Sequence, residues 1–152
     1  MTTMPHRDKG YTEFGQMLRR SQGILYRVCL AFTDRQPGSI DDLRQEIVCN
    51  LWQGWPKFRA ESDTTTWVYR VALNTARSEL RKQRRHGRHS TLPIDARLCD
   101  TLADEKELVF LYLDGLTNAQ IAAVTGASEA AAKQRIYRIR QKLIILHQQD
   151  HE

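Results

Sequence analysis

Between Gly115 and Lys142 the chain carries two helix-forming stretches separated by a single glycine, and this pattern restricts its fold more than any other. Thr117-x-x-Gln120 has the form of a capping box, in which two side chains each satisfy a backbone N–H of a helix's first turn. Gly126 supplies a turn, and Ser128 is an N-cap for a second, longer helix. Along that helix Ala132, Ile136, Ile139, Leu143 and Leu146 form the buried row. Ala130, Gln134, Tyr137, Arg138 and Gln141 face away from it, flanked by Lys133, Arg135 and Lys142. A capped helix, a tight turn and a basic helix make a helix-turn-helix, whose second helix lies in the DNA major groove. The small residues that open this helix permit close approach to a groove, where Gln and Arg hydrogen-bond base edges and Lys and Arg neutralise phosphates.

The upstream sequence is also helical. Phe14, Met17, Leu18, Ile24, Leu25, Val28, Cys29 and Phe32 recur at three- and four-residue steps, which predicts one helix from about Tyr11 to Phe32. Gln36-Pro37-Gly38 breaks it. Ser39 then reads as an N-cap, with Asp41 and Asp42 in the first turn, where the helix dipole favours negative charge. The second helix turns Ile40, Leu43, Ile47, Val48, Leu51 and Trp52 inward, and Gly54-Trp55-Pro56 ends it. A loop from Lys57 to Thr66 leads to a third helix with two unlike faces. Tyr69, Leu73, Ala76 and Leu80 form the apolar side; Arg70, Asn74, Arg77 and Arg81 line up on another. Cations beside Trp67 suit single-stranded nucleic acid, because bases stack while phosphates are neutralised. The competing reading makes Trp67 and Tyr69 core residues, and Tyr69 falls on the apolar side. A fourth helix is expected over about Thr101 to Leu113. The chain is therefore read as all-α: two small helical domains, residues 11–86 and 98–147, joined by a short basic linker at 87–97.

The net charge of +5 favours a polyanionic partner. Its placement is more telling, since five of the nine residues from Arg81 to His89 are Lys or Arg. No apolar run approaches the ~20 residues that span a bilayer, and the first residues lack the apolar centre of a secretion signal, so no membrane insertion and a cytoplasmic location are expected. Three widely spaced cysteines, without Cys-x-x-Cys, indicate neither a disulfide framework nor a zinc site; Cys29 and Cys49 read as small core residues. His86, His89 and Cys99 lie in a basic stretch that repels cations. Asp41, Asp42 and Glu46 would serve metal-assisted hydrolysis only with partners that the spacing does not supply. No catalytic residue, metal or cofactor is assigned.

The order of these elements resembles the sigma-70 family of bacterial RNA polymerase initiation factors, in its extracytoplasmic-function (ECF) branch. The resemblance runs from about Gly23 to Leu143. Ser39 to Trp52 is similar to the polymerase-docking helix of region 2, Trp55 to Arg59 with Thr66 to Asn74 to its promoter-melting segment, and Leu113 to Arg140 to region 4. The resemblance implies that Asp42, Gln45 and Glu46 contact the β′ clamp helices of polymerase core, with the β flap as a further partner surface. It implies that the loop from Lys57 to Thr66 captures a flipped base of the −10 element. Lys57, Arg59, Trp67, Arg70, Asn74, Arg77 and Arg81 would serve that element, and Ser128, Glu129, Lys133, Gln134 and Arg138 would read the −35 element. An anti-sigma protein is an implied partner, and the catalytic centre belongs to the polymerase.

The chain departs from the family pattern at three places. Ser78 stands where an Asp is usual, Ala131-Ala132 replaces Thr-Val, and the connection ahead of region 4 is short. Residues 85–100 span at most ~50 Å when extended. Promoter elements about one and a half duplex turns apart lie on the order of 50 Å apart. A sigma-derived regulator that binds DNA or core without initiating is therefore the alternative.

Overall fold

The computed structural model describes residues 5–58, 63–85 and 105–151. These form seven α-helices and one 3-10 turn, with no strand among the described residues. The chain divides into two compact units, Met1–Pro93 and Ile94–Glu152.

In the first unit, α1 (Pro5–Arg20) and α2 (Gln22–Phe32) replace the single helix that periodicity predicts. Ser21 separates them. Its backbone leaves the helical region at φ −96° and ψ 0°, and its N–H is shared between the carbonyls of Met17 and Leu18 at 3.1 and 3.2 Å. Its buried hydroxyl donates to Met17 Sδ at 3.7 Å, so the break occurs without orphaning the side chain. Apolar spacing persists through such a bend, which is why it leaves no mark on the periodicity.

The turn after α2 is built by side chains. Arg35 has φ +63°, a left-handed conformation; Thr33 Oγ1 accepts its N–H at 3.2 Å, and Asp34 accepts the Gln36 N–H at 3.0 Å. Helix α3 (Pro37–Gly54) therefore starts three residues earlier than expected, with Gln36 as N-cap and Pro37 at the first helical position, where its fixed φ is already helical. Ser39 is inside the helix, and Asp41 and Asp42 fall beyond its first turn. The dipole does not account for them.

A 3-10 turn (Trp55–Lys57) follows, then α4 (Thr64–Arg85). Leu25, Val28, Cys29 and Phe32 of α2, Leu43, Ile47 and Leu51 of α3, and Val68, Tyr69, Ala72, Leu73 and Ala76 of α4 make the core. A polar link joins α3 to α4: Asn50 Nδ2 donates to Thr75 Oγ1 at 2.9 Å, and that hydroxyl donates to the Val71 carbonyl at 2.7 Å. The inward row of α3 steps by four, so its other side carries Cys49 and Trp52 outward; both were expected inside, and both are exposed.

The second unit holds α5 (Lys106–Leu113), α6 (Asn118–Thr125) and α7 (Glu129–Gln149). Residues 101–104 of the expected fourth helix lie outside the described residues. Gly115, at φ +86°, ends α5: its N–H reaches the Tyr112 carbonyl at 3.1 Å and the Leu116 N–H reaches Leu111 at 3.2 Å. The capping box is present in both directions, Gln120 N–H to Thr117 Oγ1 at 3.2 Å and Thr117 N–H to Gln120 Oε1 at 2.9 Å. Gly126 closes α6 at φ +75°. Leu108, Val109, Phe110, Leu111, Ile121, Ala122, Val124, Ala132, Ile136 and Ile139 are buried. Leu143 and Leu146, expected inside, are only half-buried, because α7 runs on past the helices that cover it. Lys142 pairs with Glu105 at 3.1 Å.

Thr117→Ala removes the cap and is expected to cost about 1 kcal/mol. Gly126→Ala, which finds open space but an unfavourable φ, is expected to cost about 1–2 kcal/mol. Urea unfolding of the chain checks both. Burial pushes the Cys29 thiol up to about 11; Asp41 adds to the shift and Arg44 opposes it. Folding thus favours the thiol over the thiolate. Stability carried by Cys29 is intact below pH 9 and declines as pH rises towards about 11. Cys29→Val should flatten the fall of Tm across that window relative to the parent chain.

Candidate polymerase-docking and nucleic-acid surfaces

Three outward-facing surfaces emerge from this packing. On α3, burial of Leu43, Ile47 and Leu51 turns Asp42, Gln45 and Glu46 to solvent. Arg44 leaves that row and donates to Gln22 Oε1 at 2.6 Å, tying α3 to α2. The acids remain displayed, held by a rigid helix, where a positively charged or polar partner can reach them.

On α4, burial of Tyr69, Ala72, Leu73 and Ala76 leaves Asn74, Arg77 and Arg81 exposed and Arg70 half-exposed. Tyr69 is 4% exposed and belongs to the core, as its side of the helix indicated. On the same helix Glu79 pairs with Lys82 at 3.3 Å. Lys57 is exposed in the 3-10 turn; Arg59 and residues 60–62 lie outside the described residues.

Trp67 holds a double position. It is half-buried, and its ring stacks on Phe58 with centroids 4.7 Å apart and planes 28° apart. Trp55 lies 6.0 Å from Trp67 and 5.9 Å from Phe58. A β-carbon at Gly54 would stand 3.1 Å from Trp67 Cζ2, so the ring packs closely on the end of α3 and a larger residue there would push it by a few tenths of an ångström. The resemblance placed Trp55 and Phe58 in the same segment as Trp67, but their packing on its ring, and that of Gly54, was not foreseen. They are distant from Trp67 in the chain and show no common spacing with it, although a Trp-Pro-x-Phe run before a loop marks rings with little else to cover them.

On α7, Ser128 Oγ accepts the Ala131 N–H at 3.2 Å, so this residue is committed to capping the helix. Glu129 occupies the first turn, where negative charge is favoured. Lys133, Gln134 and Arg138 are exposed on successive turns, with Ala130, Tyr137 and Gln141 beside them. Among the described residues no group of three or more His, Cys, Asp or Glu side chains could hold a metal ion. The notional ligands His86, His89 and Cys99 lie outside them. No described helix is long and apolar enough to cross a membrane.

Two family models match this chain: Sigma-70 region 2 over residues 17–86 and Sigma-70, region 4 over residues 102–143. The ECF RNA polymerase sigma factor SigM of Mycobacterium tuberculosis is 24% identical over 150 residues, covering 86% of this chain and 74% of that protein. The ECF RNA polymerase sigma-E factor of Escherichia coli K12 is 25% identical over 146 residues, covering 70% and 72%. The chain belongs to the sigma-70 family, in its ECF branch. It is a sigma factor, a member of a family of transcription factors rather than of an enzyme class. Among solved structures, CnrH in complex with the cytosolic domain of CnrY is similar at TM-score 0.67 and 26% identity, over 90% of this chain and 88% of that one. RpoE of Bartonella quintana, in complex with the anti-sigma factor NepR, shares the fold at TM-score 0.69 and 21% identity, over 90% and 97%. In this sigma factor the region 2 match takes in α2, α3, α4 and only the end of α1.

Phe58→Ala removes one ring of the stack and is expected to lower stability by about 2 kcal/mol, from lost burial plus the aromatic pair itself. Urea unfolding followed by tryptophan fluorescence measures it.

Proposed function

We propose that this sigma factor binds RNA polymerase core and directs promoter-specific initiation by reading −10 and −35 elements. The observation that carries the reading is the separation of three exposed rows onto three helices. An acidic row lies on α3 and a cationic row on α4, both within the region 2 match, and a Lys-Gln-Arg row lies on α7 within the region 4 match. One unit can thus meet an enzyme and a melted strand on different helices, while the other meets duplex DNA.

In this reading Asp42, Gln45 and Glu46 dock on the β′ clamp helices. Lys57, Arg59, Arg70, Asn74, Arg77 and Arg81 hold the −10 strand and its backbone. Trp67 presents an edge to that strand while its face supports the loop base. On α7, Lys133, Gln134 and Arg138 enter the major groove at the −35 element, with Ser128 and Glu129 shaping the helix start. The exposed Ile144 and Ile145, beyond the covered part of α7, offer apolar surface to the β flap. An anti-sigma protein is a further partner, a reading supported by the similar complex of RpoE with the anti-sigma factor NepR. The short connection and Ala131-Ala132 favour one alternative, a factor that binds core or DNA without initiating.

Reconstituted run-off transcription with purified core and a genomic promoter library separates the two: promoter-dependent transcripts support initiation, and core binding without transcripts supports the alternative. Asp42→Ala with Glu46→Ala should weaken core binding about tenfold or more. Arg138→Ala should cost about 1–3 kcal/mol in discrimination at one −35 position, whereas Lys133→Ala should weaken all sequences alike and reduce the salt slope by about 1.

A further inference from the structure

The exposed side of α3 does not end with its acids. Cys49, Trp52 and Gln53 continue it, and the run Asp42, Gln45, Cys49, Trp52 steps by three, four and three. That is one face of a helix followed for nearly three turns, a length of about 15 Å. At its far end Trp52 keeps 38% of its surface in water. Tyr11 of α1, 56% exposed, stacks on it with centroids 4.7 Å apart and planes 23° apart.

The pair is firmly seated. Buried Phe14 meets the edge of Trp52 at 4.9 Å and the edge of Trp55 at 5.8 Å. The two outer rings therefore have a packed base and a wet top. Rigid aromatic rings of this kind lose little conformational freedom on being covered, and Tyr and Trp are the side chains in which interfaces concentrate their binding energy.

We propose that Tyr11 and Trp52 form an aromatic anchor for polymerase core, extending the docking surface from α3 onto α1. This rests on the reading of Asp42, Gln45 and Glu46 as the core-docking row. The occupant is a helical segment of the core enzyme, whose cationic side chains face Asp42 and Glu46 and whose apolar side chains close over the two rings. Continuity supports this choice: the anchor lies on the same face of the same helix as the acids, three residues beyond Cys49. Tyr11 and Phe14 precede the residues matched by the region 2 model and Trp52 lies within them, so it is the α1 half of the anchor that adds to the family's matched segment. Its base also explains the Ser21 break, which frees α1 to lay Tyr11 and Phe14 against the end of α3.

The test uses the full chain and purified core. Hydroxyl-radical footprinting should show oxidation of Tyr11 and Trp52 falling about threefold or more when core is added, while Tyr26, equally exposed at 56% on α2, is unchanged. In core-binding titrations Tyr11→Ala should weaken affinity about tenfold and Tyr26→Ala less than about twofold. The footprint uses the unaltered chain, so it decides the matter even where Tyr11→Ala loosens α1. If Tyr11 and Trp52 stay unprotected and Tyr11→Ala binds normally while Asp42→Ala does not, the anchor is overturned and the docking row stands. If Asp42→Ala is also neutral, the docking reading falls and takes the anchor with it. If the free chain self-associates and Tyr11→Ala abolishes that, the occupant is a second copy and the proposal is wrong.

Discussion

Burial of four-residue apolar rows on α2, α3 and α4 is the constraint from which the rest of the first unit follows. Once Leu43, Ile47 and Leu51 are committed to the interior, the helix has no freedom in where its acids point. The same holds for α4, where Tyr69, Ala72, Leu73 and Ala76 set the direction of the arginines. The direction of each charged row is thus set by the packing of the apolar row beside it. The Asn50 to Thr75 hydrogen bond adds a directional contact between these two helices to the apolar packing.

How much of this could be read from the sequence depends on whether the deciding chemistry is local. The capping box at Thr117 and Gln120, the left-handed glycines and the Ser128 cap are settled by neighbours within four residues, and they were legible. So was the cationic row of α4, because helical periodicity places Arg70, Asn74, Arg77 and Arg81 together whatever lies opposite. The start of α3 was not: Ser39 and Pro37 are both good opening residues, and the choice fell to a turn stabilised by Thr33 and Asp34. The Ser21 break was also hidden, since the apolar spacing runs through it, and Trp52 was placed inside because its ring is apolar although the buried row of α3 turns it outward. Trp67 lay between its two readings, a side chain packed on Phe58 that still keeps part of its surface.

Correcting the start of α3 changes the argument about function. With Ser39 as cap, the aspartates had an ordinary explanation in the helix dipole. With Pro37 at the first position they have none, and a cluster of exposed acids with no structural task is better evidence for a partner. The stack at Trp67 has the opposite effect. A ring with one face against Phe58 and a glycine beneath it has less surface to lend to a base, so in the proposed function more of the strand contact would fall to Asn74 and the arginines.

The interruption at Ser21 has a last consequence. A helix continuous with α2 would inherit the cooperativity of the core, but α1 is coupled to the body through a hinge and a handful of aromatic faces. Such a segment can unlatch on its own, at a free energy well below that of global unfolding. A partner that covers the rings from outside would also hold the amino-terminal arm against the body.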